Sequence, residues 1–290
     1  MAPSYSATTE PVSLRDETFD PANPTAYHLL ALAGPGRLRV ALLDAARQKV
    51  VAFDDQPLRD PAELPTLAAG HPLLGQSGWG RVRLALAGRA FTLLPAPLLR
   101  PGDEATYLRP HYQPGPAETT LAFPLPLPAP ATDVVSVFAT DAGLPRWLAA
   151  TYGPAGRLLP QPVALLAGWL HQRGSAPPAR QLYLSLADHE LTLAVLGPQL
   201  EFCNVFAVST PEDVAYYVIL VMQELGLNPD QDAVTVWGEL TSDSATFALL
   251  STYVRHLRFG SRPFGLHFTY RLNELPEHRH FDLFSLALVE

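Results

Sequence analysis

The sequence predicts an α/β protein of two related lobes, each a mixed sheet flanked by helices. Three observations point to it. First, one script of three strand-like runs, tight turns and a helix start occurs twice. It opens at Tyr27 as YHLLALA, GPGR, LRVALL, DAAR, QKVVAF and then Asp60-Pro61-Ala62-Glu63. It opens again at Leu182 as LYLSLA, DHE, LTLAVL, GPQ, LEFCNVFAV and then Thr210-Pro211-Glu212-Asp213. Second, apolar residues alternate within the runs, as at Leu38, Val40 and Leu42 or Leu191, Leu193 and Val195, the period of a strand with one buried face. Third, 290 residues at 48% hydrophobic and 17% charged content suffice for two packed cores.

Residues 1–23 are polar and Pro-flanked, and read as a loose tail. Tyr27–Ala33, Leu38–Leu43 and Lys49–Phe53 then form a meander, turning at Gly34-Pro35-Gly36 and Asp44. Arg37 and Arg39 fall on its polar face. Asp60, Pro61 and Glu63 have capping-box spacing, which starts a helix running to about Gly70. Val82–Ala87, Gly88-Arg89 and Phe91–Leu94 read as a second hairpin. Residues 95–132 are a Pro-rich insertion, and FPLPLPAPA from Phe123 has polyproline-II character, read as an extended connector. Val134–Ala139 is a strand, Ala142–Tyr152 a helix, and Arg157–Leu159 a short strand. A helix with Leu165, Leu166, Trp169 and Leu170 closes the first lobe, residues 24–176. Ser175-Ala176-Pro177-Pro178 is the natural boundary.

The second lobe, residues 177–290, is cleaner. The helix after Thr210 puts Val214, Tyr217, Val218, Val221 and Leu225 on one face. Gly226 ends it in the left-handed region and Pro229 forbids its continuation. Ala233–Trp237 is a buried-type strand. Ser242, Asp243 or Ser244 caps a helix carrying Phe247, Leu250, Tyr253, Val254 and Leu257. A strand with Leu266, Phe268 and Tyr270 follows, then an apolar run from Phe281 to Val289. Both halves thus read strand, strand, strand, helix, strand, helix, strand.

Composition excludes several functions. A net charge of −8 with no basic run argues against nucleic-acid binding. Lys49 is the only lysine, so a GxxxxGK[ST] phosphate loop is absent. Cys203 is the only cysteine, which rules out an internal disulfide and a multi-thiolate zinc site; it reads as a small packed residue. The N-terminal MAPSYSATTEPVSL lacks a signal-peptide pattern and no run reaches membrane-span length, so a cytoplasmic protein is expected. Gly75-Gln76-Ser77-Gly78-Trp79-Gly80 only approaches a nucleophile elbow, because Trp79 stands where glycine is required. Glu277, His278, His280 and Asp282 have alternate ligand spacing but read as a solvated loop. Asp141 and Asp188 are candidates for a carboxylate pair, with turn and cap roles as the default. Trp79, Trp147, Tyr152, Tyr216 and Tyr217 are either core or a partner patch. No catalytic residue and no metal ligand stands out.

The element order resembles the ribonuclease-H-like lobe that occurs twice in the actin-like ATPase superfamily, which includes pilus-assembly and cell-division actin homologues. A closer resemblance is to an uncharacterised bacterial family, domain of unknown function 3822. It is carried by Tyr27-His28-Leu29, by LEFCNVFAVSTPEDVAYYVILVMQELGL from Leu200 and by VTVWGELTSDSATFALLSTYV from Val234. The resemblance implies a two-lobe actin-like fold without an established activity. Active superfamily members hold phosphate and magnesium on Asp-x-Gly turns between the first two strands of each lobe. The matching turn Leu32-Ala33-Gly34-Pro35-Gly36 lacks the aspartate, and Pro35 has no N–H to donate. The turn around Asp188 lacks the glycine, and only Gly238 remains of a Gly-Gly turn for adenosine. These departures argue against ATP hydrolysis.

The expectation is a non-hydrolysing scaffold that contacts an unidentified protein. Two alternatives stand beside it. One is a divergent ATPase binding ATP and magnesium with Gly34, Asp188 and Gly238 lining the cleft. The other is a homo-oligomeric structural protein.

Overall fold

The computed structural model describes residues 11–125, 127, 133–173 and 179–290. Three sheets form. Four strands open the chain: β1 (Val12–Arg15), β2 (Tyr27–Gly34), β3 (Gly36–Asp44) and β4 (Lys49–Leu58). After α1 (Leu64–Ala68), β5 (Arg81–Leu86) runs parallel to β2. An inserted unit follows: β6 (Phe91–Pro95), α2 (Glu104–Leu108), β7 (Glu118–Pro124) and β8 (Val134–Asp141). Then come α3 (Gly143–Tyr152), β9 (Gly156–Pro160) and α4 (Gln161–Arg173). The second half contributes β10 (Gln181–Ala187), β11 (Glu190–Leu196), β12 (Leu200–Ala207), α5 (Pro211–Glu224), β13 (Val234–Gly238), α6 (Ala245–Tyr253) and β14 (Leu257–Phe259). It closes with β15 (His267–Phe268), α7 (Tyr270–Asn273) and α8 (Phe281–Ser285).

The duplication is exact in strand order. The first sheet contains the order β4-β3-β2-β5-β9, with β1 and β15 added on β4, and the second runs β12-β11-β10-β13-β14. In each, three meander strands are antiparallel and the last two are added in parallel through helices. Parallel neighbours require such crossovers, and helices therefore cover the sheet faces.

The turns and caps show why these residues fold this way. Thr210 and Asp213 exchange hydrogen bonds in a full capping box at α5, with Pro211 at the first helical position. Gly226, at φ 65°, ends that helix while Leu227 N–H donates to Met222 O. The matching start at Asp60 is weaker. Its carboxylate accepts from Ala62 N–H, and Pro65, which has no N–H, divides the expected helix into a 3-10 turn and the five-residue α1.

Several expectations are corrected. The segment from Val12 to Asn23 is not loose: β1 pairs with β4, Arg15 grips Asp54 at 2.6 Å and Lys49 reaches Asp16 at 2.9 Å. Val82–Leu94 is not a hairpin. β5 lies between β2 and β9, while β6 leaves for a separate sheet of order β6-β8-β7, packed on Leu108 of α2. The 95–132 insertion thus holds α2 and β7, with residues 126 and 128–132 outside the described set. The expected boundary at Ser175–Pro178 also lies outside it. The Leu266–Tyr270 strand shrinks to β15, and it pairs with β4 of the first sheet.

Each sheet buries two faces. The outer face of the first packs on α1 and α3 through Leu29, Val40, Leu64 and Leu144. The outer face of the second packs on α5 and α6 through Leu184, Val218 and Leu250. The inner faces share one core, into which α4 and α8 are sandwiched. Residues Gln161–Trp169 of α4 are all buried, as befits a helix apolar on every side. Trp169 packs against Tyr183 and Trp237 of the second sheet, and Phe284 of α8 against Phe53 of the first.

Gly168 sets how closely α4 and α8 approach. A Cβ there would fall 2.1 Å from Ser285 Oγ and 2.6 Å from Phe281 Cζ. Gly168→Ala should therefore lower stability by about 1–3 kcal/mol in urea denaturation, because both neighbours are in the shared core.

Candidate functional site

The turns that matter lie where the two sheets face each other. Gly34 and Arg37 pair across Pro35-Gly36, and Gly36 has φ 93°, the geometry of a type II turn. Ala187 and Glu190 pair across Asp188-His189, both with positive φ, a type I′ turn. Gly238 ends β13 at φ 99°, where a Cβ would meet Leu186 O at 2.0 Å. The neighbouring Glu239 N–H donates to that same carbonyl. Of the three expected site residues, only Asp188 sends a side chain into the seam between the lobes.

An ion network closes that seam. Arg37 pairs with Asp55 on its own sheet and with Glu239 of the second half, each at 2.5 Å. Arg39, 2% exposed, reaches Asp282 at 3.4 Å and Asp188 at 3.5 Å. Asp282 also accepts from Gln161 Nε2 at 2.6 Å and Leu283 N–H at 2.8 Å. Burial disfavours the Arg39 charge, yet Asp282, Asp188 and Glu239 together raise its pKa. Burial raises the Asp188 carboxyl, with Arg39 pulling the other way. His280 lies beside the network in the left-handed region at φ 55°, its ring against Phe53. Burial, then Arg39 and Arg37, keep it neutral.

A nucleotide with magnesium does not fit this arrangement. Two guanidinium groups already face four carboxylates, so the seam repels a polyphosphate unless the pairs are broken. The space beside Asp188, His189, Thr210 and Glu239 is about 40 Å³. That admits a water molecule, whereas small-molecule sites run to hundreds of cubic ångströms. Pro35 offers no N–H in the first turn. No group of three or more His, Cys, Asp or Glu residues placed to hold a metal occurs among the described residues.

Sequence reasoning missed Arg37, Arg39, Glu239 and Asp282. The alternation in β3 marked the arginines as a polar face, but that face is covered by the C-terminal segment. The Glu277–Asp282 stretch is likewise not a solvated loop. His278, His280 and Asp282 are buried, and His278 Nε2 contacts Leu240 O at 2.7 Å. Asp141 does not pair with Asp188 but accepts from Gly143 N–H at the start of α3. Trp79 in the glycine-rich loop is buried and donates to Leu73 O. Burial pushes the Cys203 thiol up to about 12, which leaves it unreactive. Among the five aromatics singled out, Tyr216 is exposed, while Tyr217 stacks on Phe206 at 4.3 Å and so joins α5 to β12.

The duplicated sheet order and the two sandwiched helices define a protein of the actin-like ATPase fold, and solved structures agree. A Bacteroides thetaiotaomicron protein with actin-like ATPase fold and unknown function superposes with TM-score 0.76 at 16% identity, over 94% of this chain and all of that one. PilM, solved in the PilM-PilN type IV pilus biogenesis complex, gives TM-score 0.60 at 18% identity over 91% of this chain and 98% of its own. Ethanolamine utilization protein EutJ from Carboxydothermus hydrogenoformans gives 0.51 at 11% identity, covering 96% and 93%. The chain belongs to DUF3822, a family of proteins of unknown function, which it matches over residues 16–257. No curated protein matches its sequence.

Two outcomes test the seam. Arg39→Met strands two carboxylates and should cost about 3–5 kcal/mol in denaturant unfolding, part of it restored by adding Asp282→Asn. Glu190 supplies a pH test. Its Oε2 is buried without a partner, and burial raises the carboxyl to about 7, with Arg89 opposing. Unfolded, the group ionises near 4.5, so the folded state holds an extra proton between those values. This contribution is full below the unfolded pKa and is lost as pH rises through the folded one. Glu190→Gln should match the parent at acid pH and gain roughly 1–2 kcal/mol above neutrality, measured by thermal melts across pH.

Proposed function

We propose that this chain is an actin-fold protein that does not hydrolyse nucleotide and works by binding another protein. The observation that carries the reading is the Arg37–Glu239 and Arg39–Asp188 pairing. It fills with protein side chains the seam in which the fold would hold phosphate. A surface suited to protein contact supports it. Tyr216, 61% exposed, and Tyr253, 55% exposed, flank a groove of about 340 Å³ between α5 and α6, floored by Ile219, Leu220 and Leu249. Exposed aromatics beside aliphatic floors are what interface hot spots are made of. PilM, which shares the fold, is found in a complex with PilN.

Calorimetry with Mg-ATP and a phosphate-release assay test the reading. The expected result is no turnover, and no binding that Asp188→Ala removes. Micromolar binding lost in Asp188→Ala, together with turnover, would overturn it and restore the ATPase alternative. Tyr216→Glu should change stability by no more than about 0.5 kcal/mol and abolish capture of the partner. A concentration-dependent oligomer that Tyr216→Glu dissolves would identify the partner as a second copy.

A further inference from the structure

A different cavity, of about 490 Å³, opens on the inner face of the second sheet and shares no lining residue with the Arg39 network. Strand register builds its floor. Tyr183 of β10 lies opposite Thr235 of β13, which lies opposite Arg258 of β14. Arg173, in the last turn of α4, faces them, and Phe264 stands 56% exposed at the mouth. Tyr183 stacks on Trp237 with ring centroids 5.9 Å apart.

The polar groups of the floor are tied to one another. Tyr183 Oη donates to Gln181 Oε1, Gln181 Nε2 donates to Thr235 Oγ1, and Arg258 Nε donates to the same hydroxyl at 3.2 Å. Arg173 Nη2 donates to Gly197 O at 2.9 Å. Among the described residues, each guanidinium is thus held by one nitrogen, and its other N–H groups can reach a ligand. No Asp or Glu among the described residues lines the cavity. Arg258 is exposed; Arg173 is not, and with one protein acceptor it differs from the other arginines that the fold engages. Arg15, Arg37, Arg39 and Arg180 are paired with carboxylates. Arg83 and Arg262, which have none, each donate to three protein acceptors. Burial lowers the Arg173 pKa with no carboxylate acting against it.

We propose that this cavity binds a small organic anion whose phosphate head lies between Arg173 and Arg258 and whose flat ring packs against Phe264. The volume suits such a ligand, and paired guanidinium forks match the oxygens of a phosphate. Calorimetry on the intact chain with phenyl phosphate tests this. One-to-one binding is expected, weakened at least about tenfold in Arg258→Gln and again in Arg173→Gln, with melting temperatures unchanged. Inorganic phosphate should bind more weakly than phenyl phosphate, and Phe264→Ala should erase the difference. No binding of phenyl phosphate, or equal binding by Arg258→Gln, would overturn the proposal. Binding lost in Asp188→Ala but kept in Arg258→Gln would move the ligand to the seam and refute this site.

Discussion

The fold depends on one buried charge. Arg39 sits in the middle of a strand, with the second half of the chain packed over it. A guanidinium removed from water must be met by carboxylates or by several other acceptors, and its own sheet supplies no carboxylate to Arg39. Asp282 and Asp188 come from opposite ends of the second half. Satisfying Arg39 therefore fixes where α8 crosses the first sheet and how near the β10–β11 turn approaches. The separations of 3.4–3.5 Å are longer than a tight bidentate pair, and Arg39 Nε has no partner. Such pairs specify an arrangement more than they stabilise it. The bulk of the stabilisation comes from the shared apolar core around α4 and α8.

Much of the architecture was legible because its signals are local. Alternation, caps and turn residues repeat in both halves, and the repeat predicts the same order of elements that the two sheets display. What could not be read is non-local. β5 and β6 are joined by Gly88-Arg89 and look like a hairpin, but β5 finds its partner in β2, more than fifty residues earlier. The arginines of β3 looked solvated because alternation reveals one covered face and says nothing about a second cover supplied from elsewhere in the chain. His280 and Asp282 looked like loop residues for the same reason. Charge in a strand is informative only once its cover is known.

On the reading proposed above, this is a fold that has outlasted its customary chemistry. The turns are still present, correctly placed between the first two strands of each lobe. Their side chains now serve each other: a type II turn with a proline, a type I′ turn with an aspartate committed to an arginine, and a glycine pressed against a backbone carbonyl. A cleft that opens and closes around a ligand needs two states close in energy. Here the same residues that would line an open state are the ones that hold the closed one together.

The C-terminal segment has a consequence for synthesis. Leu283, Phe284 and Leu286 cover the inner face of a sheet whose strands β1–β5 all lie within the first ninety residues, and Arg83 donates to the carbonyl of Val289. While the ribosome works through the second half, α4 is present to cover part of that face, but α8 is not. The inner face of the first lobe is fully covered only once α8 has emerged, unlike domains that fold one after another. Its nascent form presents a sticky sheet for as long as two hundred further residues take to emerge, at about 5–20 residues per second.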